Sequence, residues 1–175
     1  MLYTGIIDFE KRGAFNAIDA TEFLDENYVL HVLGFGEVDK LKERIEELNK
    51  TNKCKIVYDG LLSGDDFIRY CQQCHIGLST QSLTGDYLQT SFPSKILSYM
   101  CMGLPVVSCY ISCVSESGIG DLVTYYHNDS AEDIAQAIKN VNLTNTRDNI
   151  TKRMFELNIS FSDELDNLIM NTSGE

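Results

Sequence analysis

The residues best placed to do chemistry lie within 91–107, SFPSKILSYMCMGLPVV, where a loop, a short helix, a Gly turn and an apolar strand follow one another. Pro93 has φ fixed near the helical value and no N–H to leave unpaired. It therefore suits the first turn of a helix, with Ser91 or Ser94 as the capping oxygen. Ile96, Leu97, Met100 and Cys101 recur at helical spacing on one apolar face, Gly103 supplies a left-handed stop, and 104–107 reads as a short buried strand. The first N–H groups of such a helix, at Ser94 and Lys95, its dipole and the Lys95 ammonium all favour an anion, the dipole alone by about 0.3–1 kcal/mol. A phosphate group is the expected ligand. Capped helices that lead through Gly into a strand also occur in α/β proteins that bind nothing there, so the surroundings have to decide.

Those surroundings alternate. Apolar strands are predicted over 2–4, 28–33, 55–58, 76–78 and 104–107, and amphipathic helices over 14–24, 38–49, from 63 onward and from 93 onward. This predicts one α/β domain on a parallel, doubly wound sheet with helices on both faces, whose ligands sit at the carboxyl ends of the strands. The loop over 79–92 follows one such end; it is long and polar, and carries Asp86, Tyr87 and Gln89 beside the expected phosphate site. Gly34 and Gly36 form only G-x-G. Without a third Gly a nicotinamide fingerprint is not supported, and a tight turn is predicted instead. After 141 the chain turns Asn-rich, yet Met154, Leu157, Phe161, Leu165 and Leu168 keep a helical rhythm. The expected division is a domain over 1–141 and a helical extension, of one or two helices, over 142–175, with a frayed end.

Cys71-Gln-Gln-Cys74-His75 has the spacing of a haem-attachment motif. It falls where a helix passes into a strand, and attachment would need export, so Cys74 and His75 are expected to pack or cap. The six cysteines lack a four-ligand zinc spacing and are read as reduced structural thiols. His31 alternates with apolar neighbours and is expected to be a satisfied core histidine.

The stretch PSKILSYMCMGLPVVS resembles the PSK(I/L)xEYMAxGxPVV segment in the second domain of GT-B glycosyltransferases, the retaining family that uses nucleotide-sugar donors. Upstream, LYTGI with EKRG resembles that family's opening strand and Lys-Gly loop, and HVLGFGE its second strand and Gly turn. YDGLLSGDDFIRYCQQCHIGLS and DLVTYYHNDSAEDIAQAIKNV resemble its later elements, so the likeness covers roughly residues 1–140. It implies a Rossmann-like sheet in which Lys11 and Arg12 neutralise the donor's diphosphate as the glycosidic bond breaks, while Ser94 and Lys95 hold it. It implies further that position 90 lies near the donor sugar, position 98 on the ribose, and the turn at 59–62, with Leu61, against the base. No metal and no other cofactor is required. Read without the resemblance, EKRG is a solvated turn before a helix.

Two departures from the family pattern bear on function. Ile6 stands where the family carries an Arg, and Thr90 and Ser98 stand where it carries two acidic residues eight apart. A hydroxyl can still bond a ribose, but a carboxylate would do so about twice as strongly. Asp121 and Glu116, beside Gly118 and Gly120, are candidates for holding sugar hydroxyls instead.

With 14 basic residues among 26 acidic ones, the net charge of −12 excludes nucleic acid or an anionic bilayer as the main partner. At 175 residues the chain can bury roughly 70% of its unfolded surface. No apolar run approaches the ~20 residues of a transmembrane segment, and no leader precedes the strand at Leu2. The expected location is the cytoplasm, or the inner membrane face through a missing N-terminal acceptor domain. The expected function is the donor-binding half of a glycosyltransferase, inactive alone, that moves a sugar from a nucleotide diphosphate sugar to a saccharide or lipid-linked acceptor. The alternative is a degenerate module that binds the nucleotide sugar without catalysis. A flavodoxin-like phosphate-binding domain shares the alternation but calls for acidic or flavin-stacking residues at the strand ends, which are not evident.

Overall fold

The computed structural model describes residues 1–83, 92–144 and 146–172, with residues 171 and 172 described by backbone only. Six strands, β1 (Leu2–Ile7), β2 (Val29–Gly36), β3 (Lys55–Gly60), β4 (Gly77–Ser79), β5 (Val106–Cys109) and β6 (Val123–Tyr126), form one parallel sheet. Their order is β3-β2-β1-β4-β5-β6. The chain winds one way from β1 and then the other from β4, so the switch point, where such sheets open a crevice, lies between these two strands. A flavodoxin-like sheet is ordered 2-1-3-4-5, and that rival is excluded.

Helices cover both faces, which is why β4 and β5 are buried at every residue. On one face α1 (Gly13–Asp19), α2 (Val38–Leu48) and α6 (Ala131–Lys139) pack around α1. α3 (Gly64–Gln72) follows β3, α4 (Ser94–Cys101) packs on α7 (Thr146–Thr172), and α5 (Ser112–Ser115) is a single turn. The amphipathic rhythm read from the sequence holds in α2, whose Leu41, Ile45 and Leu48 face the core.

Several boundaries differ from expectation for definable reasons. The helix expected over 14–24 stops at Asp19 and continues as a 3-10 turn over Ala20–Phe23, where Thr21 Oγ1 donates to the Ile18 carbonyl at 2.6 Å and competes with the helical ladder. Gly34 and Gly36 form no tight turn; they are the last part of β2. A Cβ on Gly34 would stand 1.9 Å from the Gly5 carbonyl oxygen and one on Gly36 2.3 Å from that of Ile7, so the two glycines let β1 and β2 approach along their full length.

The C-terminal extension is one helix. Ile150 is buried, and Met154 and Leu157 pack against the core, while Arg147 donates to the carbonyls of Gln72 and Cys74 at the end of α3. Arg153 donates to both carboxylate oxygens of Asp121, at 3.1 and 3.2 Å. Asp121 is therefore a docking point for α7. Past Leu157 the same stripe continues through Phe161 and Leu168, 66% and 64% exposed. The expected frayed end, 173–175, lies outside the described residues.

Cys54, Cys71, Cys74 and Cys109 are buried, and desolvation pushes the Cys71 thiol up to about 12. Cys101 and Cys113 are exposed, so the reading of all six as structural thiols holds for the buried four. His75 is exposed and does not pack as expected. Among the described residues no group of His, Cys, Asp or Glu is arranged to hold a metal, and no helix is long and apolar enough to cross a membrane.

Candidate functional site

Tyr99 sets the position of α4. Its hydroxyl accepts the Thr4 backbone N–H at 2.8 Å, lies 3.1 Å from Thr4 Oγ1 and donates to the Leu78 carbonyl at 3.4 Å, so one fully buried side chain ties α4 to β1 and β4. Gly77 makes room for it: a Cβ there would meet the Tyr99 ring at 2.5 Å. The amino end of α4 is thereby fixed at the switch point of the sheet.

Ser94 is not the capping residue at this end. Pro93 is the capping residue, in extended conformation, and Ser94 is the first helical residue. Ser91 lies outside the described residues. The N–H groups of Ser94 and Lys95 have no intrahelical acceptor, as the first turn of any α-helix requires.

A cavity of about 410 Å³ opens over this end, walled by β1 at Thr4 to Ile6, by Lys11, and by Ser94, Lys95 and Ser98. Lys95 reaches back along β1. Its Nζ sits 4.2 Å from the centroid of the Tyr3 ring, and a methyl group on Gly5 would come within 3.3 Å of it. Desolvation lowers the ammonium to about 8. Nearby Gly13 leaves space for the Tyr3 hydroxyl, which a Cβ would approach to 2.6 Å. Ser98 Oγ donates to the Ser94 carbonyl at 3.1 Å and stays exposed at the rim.

The two basic residues of EKRG part company. Asp8 organises the loop by accepting the N–H groups of Glu10 and Lys11, and Lys11 lines the cavity. Arg12 adopts a left-handed φ of 54°, unusual outside Gly, and does not line the cavity. It donates to Asn16 Oδ1 at 3.2 Å and to Asp19 at 3.1 Å. Leu61 is 66% exposed beyond β3 and does not wall the cavity. Thr90, with Asp86, Tyr87 and Gln89, lies outside the described residues. Ile6, exposed at the cavity, stands where a second cation was expected.

His31 is satisfied but is not a core residue. Its Nδ1 lies 3.0 Å from Asp59 Oδ2 and 2.7 Å from the Tyr70 hydroxyl, at the wall of a cavity of about 550 Å³. That cavity opens at the amino ends of β1 and β2, on the edge of the sheet opposite to the one where parallel α/β sheets bind ligands. Tyr99 and the His31–Asp59–Tyr70 cluster escaped sequence reading, since a tyrosine or histidine in an apolar rhythm carries no sign of its partners.

Residues 1–142 match the family model for Glycosyl transferases group 1. The chain belongs to that family. No curated protein sequence matches it. Among solved structures, AviGT4, a glycosyltransferase involved in avilamycin A biosynthesis, superposes with a TM-score of 0.64 at 17% identity, over 89% of this chain and 45% of that one. Anabaena HepE in complex with UDP gives 0.61 at 16% identity, over 94% and 48%. The catalytic domain of the Helicobacter pylori cholesterol-α-glucosyltransferase gives 0.57 at 11% identity, over 89% and 99%. The chain spans about half the length of AviGT4 and HepE. It has the Rossmann-like architecture of a GT-B C-terminal domain.

Proposed function

We propose that this chain is the donor-binding half of a group 1 glycosyltransferase, and that its cavity at the switch point takes the diphosphate of a nucleotide sugar. One observation carries the reading: the amino end of α4, Lys95 and Lys11, three features from two parts of the chain, meet at one cavity and each favours an anion. HepE, a structural relative, holds UDP in one structure and UDP with glucose in another, which supports a uridine nucleotide as the first ligand to try.

In this reading the bond between the anomeric carbon and the diphosphate oxygen breaks, the electron pair leaves with the oxygen, and preorganised cations take up the charge. Lys11 serves there. Arg12 is engaged by Asn16 and Asp19 and is assigned to holding the loop. Ser98 accepts a ribose hydroxyl, since its own O–H is engaged by Ser94. Leu61 offers an exposed apolar surface to the base. Thr90 keeps the place beside the donor sugar that the family likeness implies.

The acceptor, a saccharide or a lipid-linked sugar, belongs to an N-terminal domain that packs on the exposed stripe of α7 and closes the other wall. Holding both reactants in attack geometry supplies about 7–11 kcal/mol of the barrier, so one half does not turn over. Through that domain the enzyme works in the cytoplasm or at the inner membrane face. The neutral Ser98 favours a second reading, a module that binds a nucleotide sugar without transferring it.

Thermal shift measurements test the proposal. UDP or GDP raises the melting temperature by ligand-linked stabilisation, and uridine or guanosine does much less. Equal shifts for nucleoside and diphosphate would remove the phosphate assignment. Joined to an acceptor domain, the chain transfers sugar in the first reading and stays inert in the second.

A further inference from the structure

We infer that seating a nucleoside diphosphate in the α4 cavity draws a proton from solvent onto Lys95 Nζ, so that donor binding is coupled to proton uptake and weakens as the medium becomes alkaline. The inference rests on the diphosphate reading and adds to it how the site handles charge.

The argument begins with where the head group lies. Nζ is packed between the Tyr3 ring, 4.2 Å to its centroid, and the β1 backbone at Gly5. Among the described residues no carboxylate faces it. The titratable groups around the cavity are Tyr3 on β1, Lys11 in the loop after β1 and Tyr99 on α4, whose hydroxyl is engaged by Thr4; α3 presents Phe67 and the segment after β4 presents Gln81, both uncharged. None of them holds a negative charge at neutral pH, and Lys11 is of like sign. Partly withdrawn from water, with the Tyr3 ring face as its one stabilising contact and no counter-charge among the described residues, the ammonium is less favoured than in solution and a neutral amine gains. Consistent with this, burial lowers Lys95 to about 8.

A diphosphate supplies the missing counter-charge. Its oxygens accept charge-assisted N–H bonds, which favour the protonated lysine. One N–H bond forms at Nζ, the proton comes from water or buffer, and no bond in the ligand breaks. At mildly alkaline pH the ligand's phosphates are already ionised, so the proton belongs to the protein.

Calorimetric titration of the full chain with UDP at about pH 8.5, in Tris and in bicine, tests this, because the two buffers differ in ionisation enthalpy. Uptake of a fraction of a proton per UDP is expected, larger at about pH 8.5 than at about pH 7. Affinity falls about tenfold per pH unit above about pH 8. Lys95→Arg keeps a permanent cation, and in it the uptake vanishes while UDP still binds; Lys95→Met loses both uptake and most of the affinity. UDP binding by the wild-type chain with no uptake overturns the inference and leaves the nucleotide reading standing. Uptake that persists in Lys95→Arg assigns the proton elsewhere and also overturns it. If UDP fails to bind at about pH 7 the nucleotide reading itself falls, and this inference with it.

Discussion

At the scale of single residues, Lys95 sets ligand affinity against stability. Its folded value near 8 lies below the ordinary 10.5, so between these limits the unfolded chain binds more protons than the folded one. Stability attributable to Lys95 therefore rises with pH through that window, and the cost of burying the ammonium is fully present below about pH 8. Lys95→Met is expected to stabilise the ligand-free protein at neutral pH by about 1–3 kcal/mol. Urea denaturation at pH 7 and again near pH 10 checks this, since the advantage shrinks as wild-type Lys95 loses its proton. The buried Cys54 and Cys71 thiols act in the opposite sense. Raised from 9.0 to about 11 and about 12, they contribute stability below pH 9 that is lost at higher pH, and the variant–wild-type difference cancels them. Ser98 gives a second test. Because it is exposed, Ser98→Glu places a carboxylate in water at little cost, and UDP affinity increases several-fold if the ribose lies there. An intact variant with unchanged affinity would place the ribose elsewhere.

At the scale of elements, the site depends on how closely β1 is held by its neighbours. Tyr99→Phe leaves the Thr4 N–H without its acceptor and frees the amino end of α4. A loss of about 1–3 kcal/mol in chemical denaturation is expected, with weaker UDP binding as well. Gly34→Ala drives a methyl group into the Gly5 carbonyl at 1.9 Å, which backbone cannot absorb by a side-chain rotation. Its expected cost exceeds about 3 kcal/mol, and circular dichroism at 37 °C should find the variant largely unfolded or recovered poorly. A well-folded variant would mean that β1 and β2 can separate without harm.

At the scale of the molecule, the chain is a sheet with a helix that outruns it. The first half of α7 is bound by Arg147, Ile150, Arg153, Met154 and Leu157; residues 158–170 in the second half are exposed. Removing residues 158–175 is accordingly expected to move the melting temperature by no more than about 2 °C, a shift that corresponds to under 1 kcal/mol for a domain of this size. The same deletion abolishes association with an acceptor domain supplied in trans, read by analytical ultracentrifugation. A large loss of stability on truncation would show that the terminal half of α7 folds back onto the sheet.

The amino-acid sequence by itself determined the layered architecture, because burial on both faces demands long apolar runs and the helices between them must be amphipathic; both periodicities are local. It determined the start of α4 at Pro93 and Ser94 for the same reason, as a property of a few adjacent residues. Only the tertiary structure decided which cations meet. Lys11 and Arg12 are neighbours in the chain, yet one lines the cavity and the other, at a left-handed φ, bonds Asp19, and dihedral angles of single residues leave no periodic trace. Asp121 looked free until Arg153 arrived from 32 residues away, and Gly34 and Gly36 looked like a turn until β1 lay beside them. Strand order, the switch point and the burial of Lys95 likewise exist only once distant segments are in contact, and the chemistry of the site is set by those contacts.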